Sequence, residues 1–195
     1  MGTIPNTQAD TALPRLSLEE LDPLLTKALE PRIRRLGYLG EFFRCMGHQP
    51  EALRAFIEFT EIAKAQLDKR TIETIALTVS AETRNAYERN QHERLSVRLG
   101  MSRGWVEQIE RLQPDRADGL TDEDRALQRW VLAVARGRFE QAREGFEGFA
   151  HECGPAKAAA ALFVLARYIG HSAMVRTLGL APPVPSIFED GFTGE

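Results

Sequence analysis

The chain reads as an all-α protein with a single helical domain, and three observations predict it. Apolar residues recur at helical spacing through almost every segment between about residue 16 and residue 180. No run of alternating β-branched residues bounded by turn residues breaks that pattern. Capping and stop residues divide the stretch into successive helix-length segments. With 195 residues, the chain has enough length for one ordinary hydrophobic core.

The elements follow in order. Residues 1–15, with Pro5 and Pro14, and residues 181–195, with Pro182, Pro183 and Pro185, are expected as arms flanking a domain over residues 16–180, free to pack on another subunit. Ser17-Leu18-Glu19-Glu20 has capping-box spacing, so a first helix is expected from there to about Leu29. Pro31 suits the first turn of a second helix that ends near Gly47. His48 and Pro50 open a third, to about Ala65. Asp68 caps a fourth through Thr83, a fifth runs to Leu99 and stops at Gly100, and Ser102 caps a short sixth. After a polar linker from Gln113 to Gly119, Thr121 caps a helix to about Arg136, and further helices begin at Phe139 and Pro155.

Composition narrows the function classes. Hydrophobic residues at 43% and charged residues at 27% fit neither a disordered chain nor a membrane one. A net charge of -3 with mixed signs argues against a general polyanion binder. The longest apolar run, Ala158 to Ala166, is far below the roughly 20 residues that cross a bilayer, and no membrane partner is expected. The start of the chain lacks the basic-then-apolar order of a secretory leader, and Asn6 stands where a myristoylation motif needs Ser or Thr. Cys45 and Cys153 form no CxxC pair and read as buried small hydrophobes, so a cytoplasmic location is expected.

The chemistry-bearing residues gather on the fifth helix. At about 100° per residue, Asn85, Glu88, His92, Leu95 and Leu99 share one stripe. If Leu95 and Leu99 point inward, Glu88 and His92 lie at the core edge, one turn apart. Burial there would raise the carboxyl pKa and a neighbouring carboxylate would raise that of His, a pair suited to passing a proton near neutrality. The plainer alternative is a stabilising i,i+4 pair. On the fourth helix Glu73 shares a stripe with Ala76, Leu77 and Ser80, so a second carboxylate is placed to meet the first two groups.

These residues resemble the carboxymuconolactone decarboxylase and alkylhydroperoxidase D-like family. Its peroxidase branch carries a Glu followed on the next helix by Cys-x-Tyr-Cys-x-x-x-His, and this chain has Glu73, then Asn85-Ala86-Tyr87-Glu88-Arg89-Asn90-Gln91-His92. Glu73, Tyr87 and His92 match, whereas Asn85 and Glu88 replace the two cysteines. Leu67 to Glu73 and Leu99 to Ser102 look like the family's entry and exit to this helix pair. His48 to Leu53 and Tyr168 to Gly179 are similar more weakly. The resemblance implies a helical bundle of the alkylhydroperoxidase D-like type and a homo-oligomer, trimeric or hexameric. It also implies a proton relay. Thiol peroxidase chemistry is not expected, because a carboxylate cannot replace the thiolate that reduces a peroxide.

The reading that results is a cofactor-free lyase, decarboxylase or isomerase acting on a small lactone or carboxylic acid. His92 is expected as general acid/base and Glu88 as its partner, with Glu73 and Tyr87 orienting them and Asn85, Arg84 and His171 near the substrate. No cofactor or metal is assigned. A metal site drawing on Glu88, His92 and one of His171, His48 or Glu73 lacks any HExxH-type motif to fix it. Two readings stand beside the enzyme: a family member that has lost catalysis and binds ligands, and a helix-turn-helix DNA regulator using Leu95 to Met101 and a reading helix with Arg103, Gln108 and Arg111. Glu107, Glu110 and the acidic net charge weigh against nucleic acid. Phe42, Phe43, Phe56, Phe59 and Trp130 are candidate pocket or core aromatics, and Arg84 and Arg89 candidate carboxylate binders.

Overall fold

A computed structural model describes residues 13–189 and Phe192. Among them every regular element is helical: α1 Pro23–Leu36, α2 Glu41–Met46, α3 Pro50–Lys64, α4 Lys69–Glu82, α5 Ala86–Arg98, α6 Arg103–Glu110, α7 Asp122–Ala135, α8 Phe139–Cys153 and α9 Pro155–Thr177, with one 3-10 turn at Pro114–Arg116. Contacts divide the chain into two compact units, residues 1–58 and residues 59–195.

In the first unit the start of α1 differs from expectation. The Ser17–Glu20 pair does form, the Ser17 amide donating to Glu20 at 2.7 Å, but it closes a turn. The helix begins at Asp22, whose carboxylate accepts from the Leu24 and Leu25 amides at 2.9 and 3.1 Å. Pro31 does not open a new helix; it lies inside α1, on an exposed position where one lost backbone bond is tolerated. Gly37, at φ 80°, stops the helix instead. Leu21, Leu25, Leu29, Phe42, Cys45, Leu53 and Ile57 are buried here. Gly47 is needed for space, since a Cβ there would collide with the Leu21 side chain.

The second unit is built around α4. Every residue from Thr71 to Ser80 is buried, because α5, α6, α7 and α9 all pack on this one helix. The expected single inward stripe is therefore an underestimate. Three of its polar residues are satisfied internally: Thr71 donates to the N-cap Asp68 at 2.7 Å, Ser80 to the Leu77 carbonyl at 3.1 Å, and Thr78 accepts from Gln128 at 3.2 Å, whereas the buried Thr74 hydroxyl meets no partner among the described residues. One apolar cluster joins α4 to α7, α8 and α9 through Ile72, Ile75, Ala76, Val79, Trp130, Val131, Ala142, Ala161, Val164 and Tyr168. A second joins α4 to α6 and the chain end through Leu77, Trp105, Val106, Ile109 and Ile187. Asp124, in the Thr121 capping box of α7, also takes Arg70 at 2.8 and 2.5 Å and the Trp105 indole at 3.3 Å.

Residues 181–189 fold back on their own unit: Ser186 Oγ and the Ile187 amide donate to buried Glu93 at 2.5 and 2.8 Å, and Val184 and Pro185 carbonyls accept from Asn90 and Arg94 at 2.9 Å each. Ile187 has no solvent exposure, which is what holds a segment expected as an arm. Of residues 1–15, all but 13–15 lie outside the described residues. By length and composition α9 is long and apolar enough to cross a membrane, although its uninterrupted apolar run is short; more than half of that window is buried inside the protein. The helix serves as a core element.

Candidate functional site

Two caps aim the site. Asp68 accepts from the Thr71 amide at 2.9 Å and fixes the start of α4, placing Glu73 in its second turn. Asn85 caps α5 through its Oδ1, which accepts from the Glu88 amide at 3.2 Å, while its Nδ2 donates to Ser172 of α9 at 3.0 Å. Both ends of the Asn85 amide are thus spent on holding α5 against α9. That is a different use from the substrate contact expected of it, and its depth explains it, since Asn85 is buried.

Glu73, Glu88 and His92 do converge. His92 Nδ1 lies 2.7 Å from Glu73 Oε2, and Ser96 Oγ donates to the same oxygen at 3.4 Å. On the opposite side of the ring, His92 Nε2 meets the Tyr168 hydroxyl at 3.2 Å and Glu88 Oε2 at 3.7 Å. Glu73 is charge-compatible only with a proton on Nδ1, so Nε2 is the nitrogen left to exchange one. Arg167 Nη1 donates to Glu88 Oε2 at 2.9 Å, and His171 Nδ1 lies 3.4 Å from Glu88 Oε1. All of these side chains are almost excluded from water, deeper than the core edge expected for Glu88 and His92.

The protonation pattern also departs from expectation. Burial pushes Glu88 up, but His171, Arg167 and His92 together outweigh it and hold the carboxyl well below the usual range. Burial pushes His92 down, and Glu73 and Glu88 outweigh it, raising the imidazole above its ordinary value. Glu88 is therefore a fixed anion near neutrality and His92 the group that changes charge. Sequence periodicity on α5 alone could not show this, because Arg167 and His171, which act on Glu88, stand on α9.

The remaining candidates scatter. Tyr87 is buried with its ring 6.5 Å from that of His171, beside the cluster. Arg84 is exposed on the turn before α5, at φ 54°, and does not reach the cluster. Arg89 pairs with Glu93 at 3.2 Å. Leu99, expected inward, is exposed, and Leu95 is half-buried. Trp130 stacks on Phe149 in the core, their centroids 5.4 Å apart, and Phe59 lies at the surface against Phe163. For a metal, the donor set fits poorly, since a guanidinium already occupies Glu88 and Glu73 holds Nδ1 of His92. The residues that sequence reasoning missed are Arg167 and Tyr168. Arg167, Tyr168 and His171 at i, i+1 and i+4 in an otherwise apolar helix were the available clue, because polar groups at such positions need partners.

The DNA-reading alternative loses its key side chain. Arg103 of α6 donates to the Ile187 carbonyl at 2.7 Å and lies over the rings of Phe188 and Phe192, while Trp105, Val106 and Ile109 are buried.

Both thiols stand outside the motif. Neither stands at position 85 or 88, and burial pushes both the Cys45 and Cys153 thiols up, away from the reactive thiolate.

Residues 50–128 match the carboxymuconolactone decarboxylase family. The fold is similar to the crystal structure of an alkylhydroperoxidase AhpD core, an uncharacterized peroxidase-related protein from Ralstonia eutropha, with a TM-score of 0.69 and 21% identity over 92% of each chain. No curated protein sequence matches this one. The matched segment contains Glu73, Tyr87, Glu88 and His92, and α9 brings its polar residues from outside it. The chain is thus similar to the carboxymuconolactone decarboxylase family over residues 50–128 and has an all-α fold of the alkylhydroperoxidase D-like type, with no CxxC pair in its sequence.

Proposed function

We propose that the protein is a cofactor-free acid–base enzyme, of lyase, decarboxylase or isomerase type, acting on a small organic acid or lactone. The observation that carries this reading is the bracketing of His92: Nδ1 on Glu73 at 2.7 Å, and Nε2 facing Tyr168 at 3.2 Å and Glu88 at 3.7 Å. In this reading Glu73 fixes the tautomer, and Nε2 gives or takes the proton at a substrate carbon or enol oxygen. Glu88 stays ionised and stabilises the imidazolium. Tyr87 and Asn85 act by positioning. A homo-oligomer, trimeric or hexameric, belongs to the same proposal, supported by the exposed apolar side chains Ile62, Leu162 and Phe163.

The test is proton NMR in deuterated buffer with a panel of lactone acids, β-keto acids and enolisable phenolic acids, comparing wild type with His92→Ala. Turnover or deuterium uptake that falls by about 10²–10⁴ in the variant is expected for loss of a general acid/base. A second reading, a binding protein without catalysis, is favoured by one feature: Glu73, Glu88 and His92 are all engaged by buried protein partners. Saturable binding with no exchange in the wild type would select it.

A further inference from the structure

Lys64, in the last turn of α3, belongs to none of the roles above. Its Nζ lies 5.2 Å from the centroid of the Tyr168 ring, and the hydroxyl of that ring meets Nε2 of His92. The Arg167 guanidinium lies over the same ring at 4.5 Å. An amine, a second cation and the end of a proton relay therefore share one aromatic side chain. On the same two helices Phe59 and Ile62 of α3 and Phe163 of α9 are exposed, the two phenylalanine rings meeting at 5.7 Å. Burial, reinforced by Arg167, lowers the Lys64 ammonium to about 8, against the opposing pull of Glu88, Glu73 and Glu61. A poorly solvated lysine beside a fixed cation is the setting in which an amine becomes a nucleophile near neutral pH.

We propose that Lys64 is a carbonyl-trapping amine, which narrows the substrate class to small aldehydes, 2-oxo acids or β-keto acids handled through an imine. The Nζ lone pair forms a C–N bond to the carbonyl carbon as the C–O π bond breaks, and the oxygen takes a proton from the Tyr168–His92 relay. The carbinolamine then loses water with a second relay proton, and nitrogen sheds its own protons to give the imine. The net change is amine plus carbonyl to imine plus water, with no oxidant or reductant. The imine is an electron sink for loss of carboxylate or of an α-proton, which is where the proposed acid–base reading enters and on which the later steps rest.

The test uses the full-length protein with pyruvate or butanal as probe and sodium cyanoborohydride to reduce any imine to a stable secondary amine, followed by peptide mapping. The chain has three other lysines, Lys27, Lys69 and Lys157, which serve as internal controls. At pH 7, Lys64 should be labelled at least about tenfold faster than any of them, because its neutral fraction is larger. Lys64→Arg, which keeps a cation over Tyr168, should lose the selective adduct. Even labelling of all four lysines, or sparing of Lys64, overturns the proposal, and this result needs no variant to fold. The two proposals separate cleanly: a selective Lys64 adduct in the wild-type protein supports the amine even if no proton exchange is found, and its slower formation in His92→Ala is the result expected if the relay supplies the protons. Proton exchange without any Lys64 adduct leaves the acid–base reading and removes this one.

Discussion

Glu88 stands where a redox relative would carry a cysteine, and the site closes around its charge. Arg167 reaches it at 2.9 Å, with each side chain 9% exposed, and His171 and His92 supply the remaining positive character. A buried carboxylate of this kind depends on its cations more than they depend on it. Arg167→Met should destabilise the fold by about 3–5 kcal/mol in urea denaturation, because it leaves an uncompensated buried charge. Adding Glu88→Gln should restore much of the loss, and a double-mutant cycle reads the coupling directly. If Arg167→Met is neutral, Glu88 is not held by that pair.

At the scale of elements, α5 is held from both sides. One side faces α4 and α9 through Glu73, Tyr168 and Asn85; the other carries Glu93, which binds Ser186 and Ile187 of the folded-back segment. The segment after α9 is thus a clamp on α5 and α6. Ile187, wholly buried against Leu77, Trp105, Val106 and Ile109, supplies its apolar anchor. Ile187→Ala should cost about 2–5 kcal/mol by removing buried methyl groups and leaving a cavity. Hydrogen exchange should show the loss as faster amide exchange in α6 and the second half of α5, with α8 little changed; uniform loosening of every helix would contradict this placement.

For the molecule as a whole, the paired charges set a window of pH in which the site supports the fold. Glu88 has a lowered folded value, so its contribution is present above the ordinary carboxylate range near 4.5 and is lost as pH falls through the folded value. His92 has a raised folded value, so its contribution is complete below about 6.5 and is lost as pH rises through the folded value. Urea midpoints across pH should show wild type exceeding His92→Gln most on the acid side of that range, with the gap shrinking on the alkaline side. The gap to Glu88→Gln should shrink in acid instead. A gap that does not change with pH in either variant would mean that the pair does not titrate with folding.

The sequence by itself determined the all-helical class, the caps at Asp68, Ser102 and Thr121, and the meeting of Glu73 with Glu88 and His92. These are local matters, decided by periodicity and by a few side chains that satisfy helix-end amides. Pro31 misled because a proline inside an exposed helix face has the same local chemistry as one that opens a helix. What only the tertiary structure decided was which remote groups surround that pair. Arg167, Tyr168 and His171 on α9, and Lys64 on α3, are far away in sequence, and nothing in helical spacing places them. Of these, His171 and Arg167 hold Glu88 ionised because, in a buried site, groups a few ångströms away outweigh local propensity.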